Sequence, residues 1–115
     1  MANTFKVVTK AGVTSEDTIY TVAGSTTTVI LGLVLGNTTT SQTTATVTLS
    51  SNTGSRAGDN DENNQDVELI TNAPIPAGSS LEMLAGNKVV METTDALSVT
   101  GSGSTDVCLS IMEIT

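Results

Sequence analysis

The chain has 115 residues, enough for one domain and too few for two comfortable ones. Twelve acidic residues against four basic ones, with no His, leave a net charge of −8, which repels phosphate and anionic membrane surfaces and argues against nucleic-acid and membrane partners. The single cysteine, Cys108, permits no intrachain disulfide, and one Phe, one Tyr and no Trp mean that any core is aliphatic.

Thr is the outstanding excess. Its branched Cβ suits a pleated, half-solvated strand better than a helix. Period-two alternation recurs along the chain. Residues 5–9 predict a first strand, ended by Ala11-Gly12, and residues 17–22 a second, turned by Ala23-Gly24-Ser25. Residues 26–35 read as the most buried strand. The continuous apolar run 29–35 implies that both faces are covered, by a neighbouring sheet or by a subunit. Gly32 within it marks a bulge or a close backbone approach.

After a break at Gly36-Asn37, residues 44–49 alternate, with Ala45, Val47 and Leu49 inward. Residues 51–65 hold no apolar side chain except Ala57 and predict a long exposed acidic loop. Order resumes at Val67-Glu68-Leu69-Ile70, and Pro74, Pro76 and Gly78 signal a turn. Short strands follow at 81–84, 89–92 and 97–99, and Gly101-Ser102-Gly103-Ser104 forms a flexible turn. In the last strand Val107, Leu109 and Ile111 alternate, whereas Met112 and Ile114 fall out of phase, which predicts a bulge near Met112. Eight or nine short antiparallel strands without a helix signal define an all-β chain. The expected fold is a single-domain β-sandwich or jelly roll over residues 1–115; periodicity alone does not separate a jelly roll from an immunoglobulin-like strand order.

Several segments resemble small virion structural proteins of tailed bacteriophages, marine cyanophages and their relatives above all. The similarity is carried by Tyr20-Thr21-Val22 leading into the apolar strand 28–37, by the proline turn Ala73-Pro74-Ile75-Pro76-Ala77-Gly78-Ser79-Ser80-Leu81, by the turn at 84–88 followed by 93–99, and by the closing strand 110–114. Residues 51–65 have no counterpart in that pattern. The resemblance implies a structural role on the particle, as a head decoration (cement) protein or as a tail, neck or fibre component. The partners it implies are other virion proteins, either the major capsid protein or tail proteins.

Catalytic chemistry has little to work with. Without His, neither a Ser-His-Asp nor a Cys-His arrangement of the usual kind can form, and one Cys cannot supply an ordinary zinc site. Paired carboxylates exist, but two aromatic residues make a poor sugar platform. The chain is therefore expected to be non-enzymatic and without a cofactor. Cys108, inside an alternating strand with no cationic neighbour in sequence, reads as a packed structural cysteine. The cluster Asp59-Asn60-Asp61-Glu62-Asn63-Asn64-Gln65-Asp66 opens like an EF-hand loop but has Asn64 where Gly is required and Ile70 where the closing Glu belongs. Asp59, Asp61 and Asp66 remain weak calcium candidates; the competing reading is a solvated acidic loop that keeps an edge from aggregating.

Binding by shape is the expected mode of action. Val29, Leu31, Leu33, Leu35, Ile111, Met112 and Ile114 are the candidates for subunit packing, with plain core as the competing reading. Arg56, Asp59, Asp61 and Glu62 are the candidates for an exposed contact loop. Because a small aliphatic sandwich gains limited core energy, a homo-oligomer is expected, with a trimer or another symmetric ring favoured. Met1-Ala2-Asn3-Thr4 lacks the basic and apolar regions of a signal peptide, so synthesis in a host cytoplasm is expected, and the phage resemblance implies residence in the virion.

Overall fold

The computed structural model describes residues 2–53, 65–83 and 88–115. Within them, nine strands and no helix are found: β1 (Asn3–Val13), β2 (Glu16–Thr21), β3 (Thr27–Asn37), β4 (Thr43–Ser51), β5 (Gln65–Ile75), β6 (Ser80–Met83), β7 (Val89–Met91), β8 (Ala96–Gly101) and β9 (Thr105–Ile114). They form two antiparallel sheets. One has the order β1-β9-β3-β6, with β7 also paired to β3; the other has the order β2-β8-β4-β5.

The pairing follows a simple rule. β4 pairs with β5, β3 with β6 and β7, β2 with β8, and β1 with β9. The chain is one long hairpin whose tip lies between β4 and β5, rolled so that successive pairs fall alternately in the two sheets and are stitched by the β3–β9 and β4–β8 ladders. This is the strand order of a jelly roll, and the choice between it and an immunoglobulin-like order, open at the level of periodicity, is thereby made. The candidates Arg56, Asp59, Asp61 and Glu62 lie outside the described residues.

Inward-facing aliphatic side chains of both sheets make the core: Ile30, Leu33 and Leu35 of β3, Ala45 and Val47 of β4, Leu97 and Val99 of β8, and Val107, Leu109 and Ile111 of β9 are all essentially inaccessible to solvent. Each buried side chain of this size contributes roughly 1.5–3 kcal/mol through removal from water.

Four sequence expectations need correction or refinement. Ala11-Gly12 does not end β1; Gly12 takes φ +68° and the β1–β9 register shifts there, so the strand continues to Val13. Gly36-Asn37 likewise does not break β3. The side chain of buried Asn37 closes the end of the sandwich, donating to the carbonyls of Ser41 (2.8 Å) and Ile75 (2.9 Å) and accepting from the Thr39 amide (2.8 Å). Pro74 is a ladder residue opposite Thr44, tolerated because β5 is an edge strand; the turn itself is Pro76 to Ser79, closed by Ser79 N donating to Pro76 O at 3.1 Å, with Gly78 at φ +67°. Finally, β9 has no bulge at Met112: its register with β1 runs unbroken from Asn3↔Ile114 to Lys10↔Val107. The bulge falls on β3 instead, between Ile30 and Gly32, where the glycine signalled it.

Candidate assembly face

The unbroken register of β9 has a direct consequence for its side chains. Ile111 faces the core, so Met112 and Ile114 lie on the outer face of the β1-β9-β3 sheet, and Glu113 takes the inner position. The same register sets Phe5 opposite Met112, Met112 opposite Val29, and Val29 opposite Val90. One apolar row thus crosses β1, β9, β3 and β7 on the outer face. Its two ends are open to solvent, Phe5 being 72% and Val90 56% exposed. The neighbouring row, Val7–Ser110–Gly32, adds Val7 at 64% exposure beside two small residues. The third row is Thr9–Cys108–Val34–Glu82.

Beside that third row the face is hollow. Gly36 contributes no side chain, and Thr9, Ala11, Val34, Asp106 and Cys108 surround an open cavity of about 350 Å³. Cys108 is a free, exposed thiol at its wall, which corrects the expectation of a packed cysteine: with Val107 and Leu109 inward, the residue between them must point out. Among the described residues the apolar run 29–35 is covered on one face only, since Val34 is 38% exposed, so no neighbouring sheet of this chain covers the other face.

The seven packing candidates divide accordingly. Leu33, Leu35 and Ile111 are core residues of this chain, whereas Val29, Leu31, Met112 and Ile114 are partly buried, Leu31 at the bulge and the other three on the outer face. Val34 falls inside the apolar run 29–35 that the sequence singles out, whereas Phe5, Val7 and Val90 are not among its candidates. The available signal was the alternation of Phe5 and Val7 with Lys6, but alternation does not say which face is inside.

The edge of the sheet is treated differently from its face. β1 is an edge strand, and Lys6 and Lys10 lie on its inner side, opposite Ile111 and Val107. Lys6 Nζ meets Glu113 Oε1 at 2.7 Å, and Lys10 Nζ lies 3.6 Å from Asp17 Oδ2. Inward-pointing lysines on an edge strand oppose strand addition, so the edge is blunted while the face stays open. Glu113 is also bonded across the sandwich: the Tyr20 hydroxyl lies 2.5 Å from Glu113 Oε2 and 2.7 Å from Thr28 Oγ1. Lys6 first and Tyr20 second hold the Glu113 carboxyl below its ordinary pKa, while burial and the bond to Glu113 hold the Tyr20 hydroxyl above its own.

Of the calcium candidates, Asp66 is exposed on β5 opposite Ser50, and Asp59 and Asp61 lie outside the described residues. Among the described residues no three His, Cys, Asp or Glu side chains cluster as a metal site. No helix long and apolar enough to cross a membrane occurs among them either.

No protein-family model matches the chain, and no curated protein is significantly similar to it. In shape it is similar to a protein of the disulfide-linked pili that form Bacillus endospore appendages, with a TM-score of 0.45 and 16% identity over 96% of this chain and 85% of that one. It is also similar to part of the T13 particle of infectious bursal disease virus (TM-score 0.26, 13% identity, 98% of this chain, 39% of that one). A third likeness is to the Gx strain of the same virus (TM-score 0.25, 16% identity, 96% and 36%). The chain spans well under half the length of the two viral chains. All three are components of large assemblies, and at these scores the likeness assigns no role to this chain.

Proposed function

We propose that this jelly roll is a non-enzymatic structural protein that works by docking, and that the outer face of the β1-β9-β3-β7 sheet is its assembly face. The observation that carries the proposal is the four-strand row Phe5–Met112–Val29–Val90, whose outermost members are 72% and 56% exposed. A monomeric soluble domain seldom leaves such a contiguous apolar surface in water. It is also unusual here to spend the only Phe of the chain on the surface, when the core has no other.

The sequence resemblance supplies the particle: a tailed-phage virion, with this chain decorating the head exterior as a cement protein in symmetric copies. A net charge of −8 keeps such copies soluble and the rest of the surface non-adhesive. Immunogold electron microscopy of purified phage particles, using antibody against the recombinant protein, tests this reading. Gold spread over the head supports decoration. Gold confined to the tail or neck replaces it with a tail, neck or fibre module that contacts another tail protein or the host surface. No gold, with the protein also missing from virion peptides, overturns the virion role.

A further inference from the structure

The outer face carries a protrusion and a hollow that match, and we infer that its occupant is a second copy of this chain, related by a two-fold axis running across the sheet along Val7–Ser110–Gly32. This rests on the assembly-face reading and names the partner that the face takes.

The geometry follows from the register. Phe5 lies two residues to one side of Val7 on β1, and Thr9, at the mouth of the cavity, two residues to the other. At about 3.3 Å per residue both displacements are about 7 Å. A two-fold axis across the strands at Val7 therefore brings Phe5 of each copy over the Thr9–Cys108 row of the other. The ring then meets the β1 side of the cavity, at Thr9, Ala11 and Cys108, with Gly36 of β3 on the far side. A phenyl-sized ligand is held by a cavity of about 150 Å³, and this one holds about 350 Å³. Such a contact is isologous, each Phe5 meeting the partner's cavity, and it closes at two copies. A three-fold ring would need two different complementary patches.

Packing and charge agree with this arrangement. Of the residues on the axis, Val7 meets its own copy, and Ser110 and Gly32 are small and let the two sheets approach. The surrounding positions Phe5, Thr9, Met112, Cys108, Val29 and Val34 carry no charge, and Asp106 in the cavity wall accepts a hydrogen bond from Gly12 N at 3.0 Å. Glu82 sits at the rim opposite Val34, and the axis keeps it away from its own copy, so the two carboxylates do not repel each other across the contact. Three strands of ten or eleven residues, with the four residues of β6 and three of β7 along the edge of β3, present roughly 600 Å² at a spacing of about 4.8 Å. Two such faces give roughly 1,200 Å², the lower end of stable specific interfaces.

Sedimentation of the full chain from micromolar to millimolar concentration, together with the rate of Cys108 alkylation, tests the inference. The wild-type mass is expected to rise from 11.7 kDa to twice that value, with alkylation slowing in parallel as the partner's Phe5 covers the thiol. Phe5→Lys is expected to weaken the association about a hundredfold or more, because one substitution removes two anchors. Gly36→Val fills the hollow and is expected to do the same; a Cβ there meets nothing closer than the Asp106 carbonyl oxygen at 3.9 Å, and an unchanged circular-dichroism spectrum checks that the fold is kept. Val67→Lys, on β5 of the other sheet and 48% exposed, serves as the control that leaves the mass unchanged. A chain that stays monomeric, a trimer, or a dimer indifferent to both Phe5→Lys and Gly36→Val overturns the inference. Gold-labelled virions bearing a monomeric protein would remove the pairing and keep the particle role, while a Phe5-dependent dimer absent from virions would do the reverse.

Discussion

Asp95 holds one end of the sandwich together, and its removal is the most severe single perturbation the structure points to outside the apolar core. The side chain is 4% exposed. Its Oδ1 accepts from the backbone amides of Asn52 (2.8 Å) and Thr53 (3.0 Å), and its Oδ2 from that of Glu92 (3.0 Å). Its own carbonyl accepts from Val22 N at 2.9 Å, and Thr94 N donates to Val22 O at 3.1 Å. The segments that follow β2 and β4 and the turn between β7 and β8 thus meet at one residue. Three hydrogen bonds to a carboxylate, two of them part-buried and one buried, are worth about 1.5 kcal/mol each at the lower end for a charged acceptor. Asp95→Ala is therefore expected to cost about 4–5 kcal/mol, a large share of the roughly 5–15 kcal/mol available to a domain. Asp95→Asn keeps an acceptor for Asn52 and Thr53 but turns an amide donor toward Glu92 N, so about half the loss is expected. Equilibrium urea unfolding of the three proteins, read as midpoint with unchanged slope, measures both numbers. A loss below about 1 kcal/mol for Asp95→Ala, or an Asn variant no better than Ala, would refute the account of Asp95 as a carboxylate clamp.

Three further outcomes follow from other parts of the fold. Glu113 has a lowered pKa in the folded protein, so its contribution is complete above the unfolded value of about 4.3 and is lost as pH falls through the lower folded value; Glu113→Gln should flatten this acid limb in urea titrations across that range, while costing only about 0.2–1 kcal/mol at neutral pH because its Lys6 partner is exposed. Gly101→Ala should cost about 1–3 kcal/mol, since a Cβ there would lie 2.6 Å from the Val13 carbonyl oxygen and 2.9 Å from that of Gly103, backbone atoms that cannot yield; thermal denaturation reads the loss. Thr43 Oγ1 is buried without a hydrogen-bond partner, so Thr43→Val should raise stability by about 1 kcal/mol, and an unchanged or lowered urea midpoint would refute that.

How far the sequence carried depends on which question is asked of it. In β4 and β9 a small set of inward residues, Ala45 and Val47, then Val107, Leu109 and Ile111, is legible because each alternates with polar neighbours and occupies the core as alternation requires. Gly32 announced its bulge, since a residue without a side chain is where a ladder most easily gains one. Met112 and Ile114 suggest a slip of phase only on the assumption that an apolar residue seeks the core. In the structure the phase is kept and the two residues are simply outside. Cys108 was misplaced by the same assumption in reverse. Asp95 and Asn37, the two buried polar hubs, carried only the signal of ordinary turn residues, because their partners are backbone groups up to 43 residues away.

The all-β class, the aliphatic core and the acidic, His-free surface are properties of the sequence by itself: composition and a period of two dictate them whatever the strands pair with. Which strand lies beside which, and therefore which of two equally alternating faces meets the core, was decided only by tertiary structure. Setting Lys6 rather than Phe5 opposite Ile111 is a one-residue matter of register, and a slip of one residue turns every side chain of a strand to the other face. That single choice places the chain's only Phe in water on the outer face of its sheet, and the candidate assembly face exists because of it.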